Sequence, residues 1–172
     1  MVRRTTFVVL SLAWVFGASA QIDAPAQYRL GRSLYESSAG PEDDAKAVAL
    51  FEAAARTGYA PAQFMMGFHL MRPETVDLPK ARDWLQKAAE QREACAMQSL
   101  GNLARRGLHP DRVAAAAWLR LAAAYSPSEI DCGLNELPKA TKDFEAKMTT
   151  AERVNAKQRV DAFIAAHPVG KK

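Results

Sequence analysis

The chain has 172 residues, 49% of them hydrophobic and 24% charged, with a formal net charge of +4. That length suits one domain, which buries roughly two-thirds of its unfolded surface, and so small an excess of basic residues gives no support to nucleic-acid binding. Alanine is abundant and β-branched residues are sparse, which favours helix throughout.

Residues 1–20 read as a secretory leader. Arg3 and Arg4 make a basic start, Phe7 to Phe16 a short apolar run, and Ala18-Ser19-Ala20 a small-residue cleavage site. The run is too short for a membrane span, which needs about 20 residues, and no later stretch comes close. The expectation is therefore an exported mature chain that does not insert into a membrane. An uncleaved N-terminal anchor is the alternative. Cleavage would remove two arginines and no acid, lowering the net charge from +4 to +2.

After the leader the chain repeats itself. Asp43, Asp77 and Asp111 stand 34 residues apart, as do Leu50, Trp84 and Trp118, and the Ala-Ala pairs at 54, 88 and 122. A period of that size is the mark of a helical solenoid, and it outranks any local propensity. The boundaries fall at about 26–59, 60–93 and 94–125, with the first repeat starting directly after the leader, so no separate N-terminal domain is expected.

Each repeat reads as two antiparallel helices. The first of each pair carries a glycine at one register, Gly31, Gly67 and Gly101. A mid-helix glycine costs about 1 kcal/mol in propensity, so three at one register point to close helix approach. Their spacings are 36 and then 34, the difference lying in the longer first loop, SSAGPEDD. The second helices follow Asp43, Asp77 and Asp111, each an N-cap or a first-turn acid. Pro79 suits a first turn. Apolar residues then recur at helical spacing at Ala47, Leu50, Phe51 and Ala54, and likewise through Trp84 and Trp118. Both tryptophans are expected to be core knobs and not ligand platforms.

Cys95 and Cys132 are the only cysteines. An even count in an exported chain suggests one disulfide, and a separation of one repeat plus about a turn would put the two on neighbouring first helices. Two buried, unbridged thiols are the alternative. Beyond Tyr125 the repeat decays. Ser126-Pro127-Ser128 breaks the helix, Ser128-Glu129 offers a new cap, and residues from Pro138 to Lys147 read as a helix or turn. Thr149 to Glu152 is a capping box, with Val154, Val160, Phe163 and Ile164 as the apolar face of a last helix. Residues 126–172 thus read as a helical capping region.

The pattern small-x-x-Leu/Met-Gly, a helix break, Asp, Lys-Ala-x-x-Trp and a double Ala resembles the Sel-1-like repeat, a relative of the tetratricopeptide repeat. The match runs from residue 26 to about 125. Gly107-Leu108-His109-Pro110-Asp111 fits it well. Arg72-Pro73-Glu74 departs from it by lacking glycine, which implies a different turn there. The glycine expected after the second helix is present at Gly58 and replaced by Arg92 and Ser126. The resemblance implies an all-α, right-handed α-solenoid of three helix-turn-helix repeats with a C-terminal helical cap; with the leader, it implies export to a bacterial periplasm, an extracellular destination being the alternative.

It also implies that the first helices line a concave face. Counted from each glycine, the groove positions are Tyr28, Arg32, Tyr35 and Glu36; then Phe64, Phe68, Met71 and Arg72; then Gln98, Asn102, Arg105 and Arg106. Such a groove would hold a protein or peptide partner, with Tyr28, Phe64 and Phe68 as apolar anchors and the arginines selecting charge. On that reading Phe64→Ala with Phe68→Ala weakens binding and leaves the melting temperature unchanged. If the two rings instead fill the seam between repeats, the fold collapses.

No catalytic constellation is present: no Gly-x-Ser-x-Gly, Ser-x-x-Lys, His-Glu-x-x-His, Cys-x-x-Cys or phosphate-cradling glycine loop. His69, His109 and His167 are isolated in sequence, so neither a metal nor a cofactor is expected. The chain reads as an adaptor and not an enzyme. The alternatives are an inhibitor of a cell-envelope hydrolase and a cell-wall enzyme with an unrecognised site.

Overall fold

The structure, a computed structural model, describes residues 23–37, 40–106, 110–125 and 132–168. The leader, the Gly107–His109 turn and the Ser126–Glu129 break lie outside the described residues. Among the described residues eight α-helices follow in order: α1 Ala24–Ser37, α2 Pro41–Arg56, α3 Ala60–His69, α4 Leu78–Glu90, α5 Ala94–Arg106, α6 Arg112–Ala124, α7 Leu137–Glu145 and α8 Thr150–Ala166. A 3-10 turn, Leu134–Glu136, leads into α7. Helices pair as α1 on α2, α3 on α4 and α5 on α6, and each pair leans on the next through α2–α3 and α4–α5. Helices α7 and α8 then cover α6. The fold is an all-α solenoid of three repeats.

The glycines set the pairing. A Cβ on Gly67 would stand 2.6 Å from Leu85 Cγ and 3.1 Å from the Ala81 carbonyl. Gly31 meets Phe51 and Gly101 meets Leu119 in the same way. Phe51 and Leu85 are among the largest fully buried side chains and Leu119 is buried too, so each glycine admits a buried knob of its partner helix. The tryptophans are not those knobs. Trp84 and Trp118 lie one residue earlier in the helix and are half-buried, packing against the core from its edge. The Lys87 ammonium sits 4.6 Å from the Trp84 ring centre, and Trp118 meets Phe163 of α8 at 5.6 Å.

Asp77 and Asp111 cap their helices, accepting the amides of Lys80 and Ala114. Asp43 does not. Pro41 starts α2 three residues earlier than the repeat pattern implies, Gly40 takes the cap position, and Asp43 becomes a first-turn acid. The turn without glycine closes as its counterpart does: the Asp77 amide donates to Leu70 O and the Asp111 amide to Ala104 O, both at 2.9 Å. At the other junction Gly58 has φ +95°. Arg92, in the equivalent place, takes φ 69° despite its side chain and donates to the Pro168 carbonyl at 2.6 Å.

The caps carry a pH dependence. The Ala114 amide, then Arg159, holds the Asp111 carboxyl below its usual range. The Lys80 side chain and amide do the same for Asp77, and the Thr149 amide and hydroxyl for Glu152. A depressed carboxyl contributes fully above its unfolded value, about pH 4, and loses that contribution as pH falls through its lower native value. Asp111→Ala should therefore cost about 1 kcal/mol at neutral pH, and the gap in urea midpoint should narrow towards about pH 3. A gap independent of pH would remove the capping account.

Cys95 and Cys132 are bridged, with Cα atoms 5.8 Å apart. Cys95 lies in the first turn of α5, but Cys132 stands in the bend before the 3-10 turn and not on a first helix. Pro138 enters the first turn of α7. The Thr149–Glu152 capping box is reciprocal. The expected apolar face of α8 is narrower than its sequence implies. Val160 and Phe163 pack on the core, whereas Val154 and Ile164 are exposed and the fully buried residue is Ala156. Polar ties fasten the cap to the third repeat: Arg159 of α8 reaches Asp111 at 3.2 Å, Arg120 of α6 grips both oxygens of Glu145 of α7, and Arg112 donates to Lys147 O in the turn between α7 and α8. A mostly polar outer helix is what terminates an open repeat stack.

Candidate binding groove

Residues of α1, α3 and α5 together line a hollow of about 820 Å³. Its floor is α3. Phe64 is buried there, and Phe68, 42% exposed, projects beside it with the ring centres 5.9 Å apart. Met65 and Met71 extend the apolar surface, joined by Leu78 and by Leu103 of α5. One wall is polar, carrying Gln98, Ser99, Asn102 and Arg106 from α5. The other carries Arg32, Tyr35 and Glu36 from α1, and Cys132 completes the rim.

Of the groove positions read from the sequence, Arg32, Tyr35, Glu36, Phe64, Phe68, Met71, Gln98, Asn102 and Arg106 line this hollow. Tyr28, Arg72 and Arg105 do not. Tyr28 is 3% exposed and packs against Phe51 and Tyr59 at 6.0 and 5.5 Å. Three residues before a glycine is the glycine's own side of the helix, which draws Tyr28 and Phe64 into the packing with neighbouring elements. Arg72 turns away, donating to the Tyr35 hydroxyl at 2.9 Å and lying 3.7 and 3.5 Å from Asp44 and Glu74. Arg105 donates to Asn102 Oδ1 at 3.1 Å from outside the hollow.

Charge within the hollow is uneven. Arg32 is paired with Glu36 at 2.7 Å, and Glu36, followed by the Tyr28 hydroxyl, raises the Arg32 pKa above its ordinary value. Among the described residues, Glu36 is the one acidic residue of the lining. Arg106 lines the far end and has no carboxylate partner among the described residues.

Met65, Leu78, Ser99, Leu103 and Cys132 were not anticipated. Met65 and Ser99 are 34 apart and flank predicted positions, so the period could have found them, and Leu103 lies one turn on from Ser99. Leu78 and Cys132 enter from outside the first helices, where that periodicity carries no signal. His69 does not line the hollow; burial, then Arg72, lowers its pKa. Among the described residues no three His, Cys, Asp or Glu side chains form a metal-sized cluster, and no helix is long and apolar enough to cross a membrane.

Three segments, 24–59, 60–92 and 96–124, match the Sel1 repeat family, one for each helix pair. Among solved structures, the chain is similar to a protective antigen present in uropathogenic Escherichia coli strains and displaying an SLR fold. The TM-score is 0.71 and the identity 29%, over 84% of this chain and 30% of that one. The chain thus spans under a third of that antigen's length. No curated protein matches it.

Proposed function

The chain belongs to the Sel1 repeat family, and on that premise we propose that it is an exported adaptor holding a peptide or loop of a partner protein in the hollow between α1 and α5. Stacked helical repeats generally work through such extended concave surfaces. The observation that carries the reading is Phe68, a ring 42% exposed on an apolar floor rimmed by arginine and amides. Aromatic, Met and Arg side chains are the types enriched at the centres of interfaces. Export, to a bacterial periplasm, rests on the leader read in residues 1–20 and on the bridged cysteines, which suit an oxidising compartment.

Phe68→Ala with Met71→Ala tests the reading better than the Phe64–Phe68 pair. Phe64 is 5% exposed, and truncating a buried phenylalanine costs about 3–5 kcal/mol, which would confound binding with folding. The immobilised protein should retain a partner from a bacterial cell-envelope extract, and the double variant should bind it about tenfold more weakly with an unchanged melting profile. Equal retention by both would move the site to another face.

A further inference from the structure

We infer that the groove selects an extended peptide segment with apolar side chains at alternate positions and an acidic side chain that meets Arg106. This deepens the groove reading and rests on it.

The first argument is charge. Of the four arginines once assigned to the groove, Arg32 is neutralised by Glu36 at 2.7 Å, Arg72 is held by Tyr35, Asp44 and Glu74 away from the hollow, and Arg105 is bonded to Asn102. Arg106 alone faces the hollow uncompensated among the described residues. The opposing negative end of α5 amounts to roughly half a charge, less than the guanidinium it faces. An incoming carboxylate therefore finds a partner in Arg106, whereas an incoming lysine finds, among the described residues, only Glu36, already paired.

The second argument is spacing. Gln98, Asn102 and Arg106 succeed one another every four residues along α5, a rise of about 6 Å per step. Two residues of an extended chain advance about 6.6 Å, so the stripe keeps step with every second residue of a strand-like peptide. Asn102 Oδ1 is taken by Arg105, which leaves the amide NH2 to donate to a peptide carbonyl, and Gln98 can both donate and accept. With its backbone held along α5, such a peptide lowers alternate side chains towards Phe68, Met71 and Leu103.

The test uses fluorescent nine-residue peptides, acetylated and amidated, with leucine at alternate positions and serine between. An aspartate is placed near one end or the other, with asparagine as the control. In an anisotropy titration the better aspartate peptide should bind about fivefold tighter than its asparagine twin, the scale of an exposed ion pair. Arg106→Gln should abolish that preference, and Phe68→Ala should weaken both peptides.

Equal binding of aspartate and asparagine peptides, or a preference that survives Arg106→Gln, overturns the acidic selection while the groove reading stands. An asparagine peptide with a free C-terminus that outcompetes the amidated aspartate peptide overturns it in favour of terminal-carboxylate capture. A native dimer that Phe68→Ala dissociates in sedimentation assigns the groove to a second copy. If no peptide binds and the envelope partner is retained equally by Phe68→Ala with Met71→Ala, both readings fall.

Discussion

Replacing Cys95 and Cys132 together by alanine should lower the free energy of unfolding by about 3–4 kcal/mol. The bridge joins residues 37 apart, and on chain-entropy grounds closing a loop of that size removes a large share of the unfolded ensemble. Alanine is the right replacement because Cys95 is fully buried, where a serine hydroxyl would add its own desolvation penalty. The loop contains all of α6, so the bridge ties the third repeat to the bend that leads into α7. Denaturant midpoints for the native protein, the double variant and the native protein with reductant should place the last two together. A shift below about 1 kcal/mol would mean that the bend docks without the bond.

Gly67→Val should destabilise by about 3 kcal/mol or more, enough to threaten a domain of ordinary stability. Leaving glycine would by itself favour the helix, so a loss must come from packing. The new Cβ would enter within 2.6 Å of Leu85 Cγ, with the Ala81 carbonyl at 3.1 Å on the same side. Leu85 is fully buried and has nowhere to swing, and the carbonyl belongs to the α4 backbone. Gly40→Ala is the control, since its φ of 170° is ordinary extended backbone and nothing lies within 4 Å of an added Cβ. As the cap of α2 it should cost no more than about 1 kcal/mol, the scale of placing alanine at an N-cap. Pairing Gly67→Ala with Leu85→Ala should cost less than the sum of the two, because the cavity left by one receives the methyl of the other. Strict additivity would remove the contact from the account.

What the sequence makes legible here is whatever recurs. Gly31, Gly67 and Gly101 declare close helix approach because three identical exceptions to propensity need one shared cause. Asp77 and Asp111 declare helix starts for the same reason, and Thr149 with Glu152 does so through a purely local motif. Asp43 takes the other of the two roles, a first-turn acid, because the proline before it starts the helix early. The groove is legible as far as periodicity reaches, which is most of α3 and α5. It fails for Arg72 and Arg105, because where an arginine points depends on partners set by the fold: Arg72 is absorbed by Tyr35, 37 residues away, and no pattern in α3 announces that. Cys132 and Leu78 enter the rim from loops and helix ends, and α8 hides its exposed Val154 and Ile164 behind a composition that reads as amphipathic.

The contact between Arg92 and Pro168 acts on how the molecule comes apart. In a stack where each layer touches only its neighbours, loosening is expected to begin at an end. At the C-terminal end that route is fastened twice, by the disulfide into α5 and by Arg92 clasping the carbonyl 76 residues further on. At the other end, among the described residues, α1 rests chiefly on α2, with Arg72 on Tyr35 and Tyr28 on Tyr59 as lateral ties. The groove therefore has a fixed jaw, α5, and a yielding one, α1. On the proposed reading, a bulky guest would be admitted by the α1 side giving way, while the stripe from Gln98 to Arg106 stays in register to hold it.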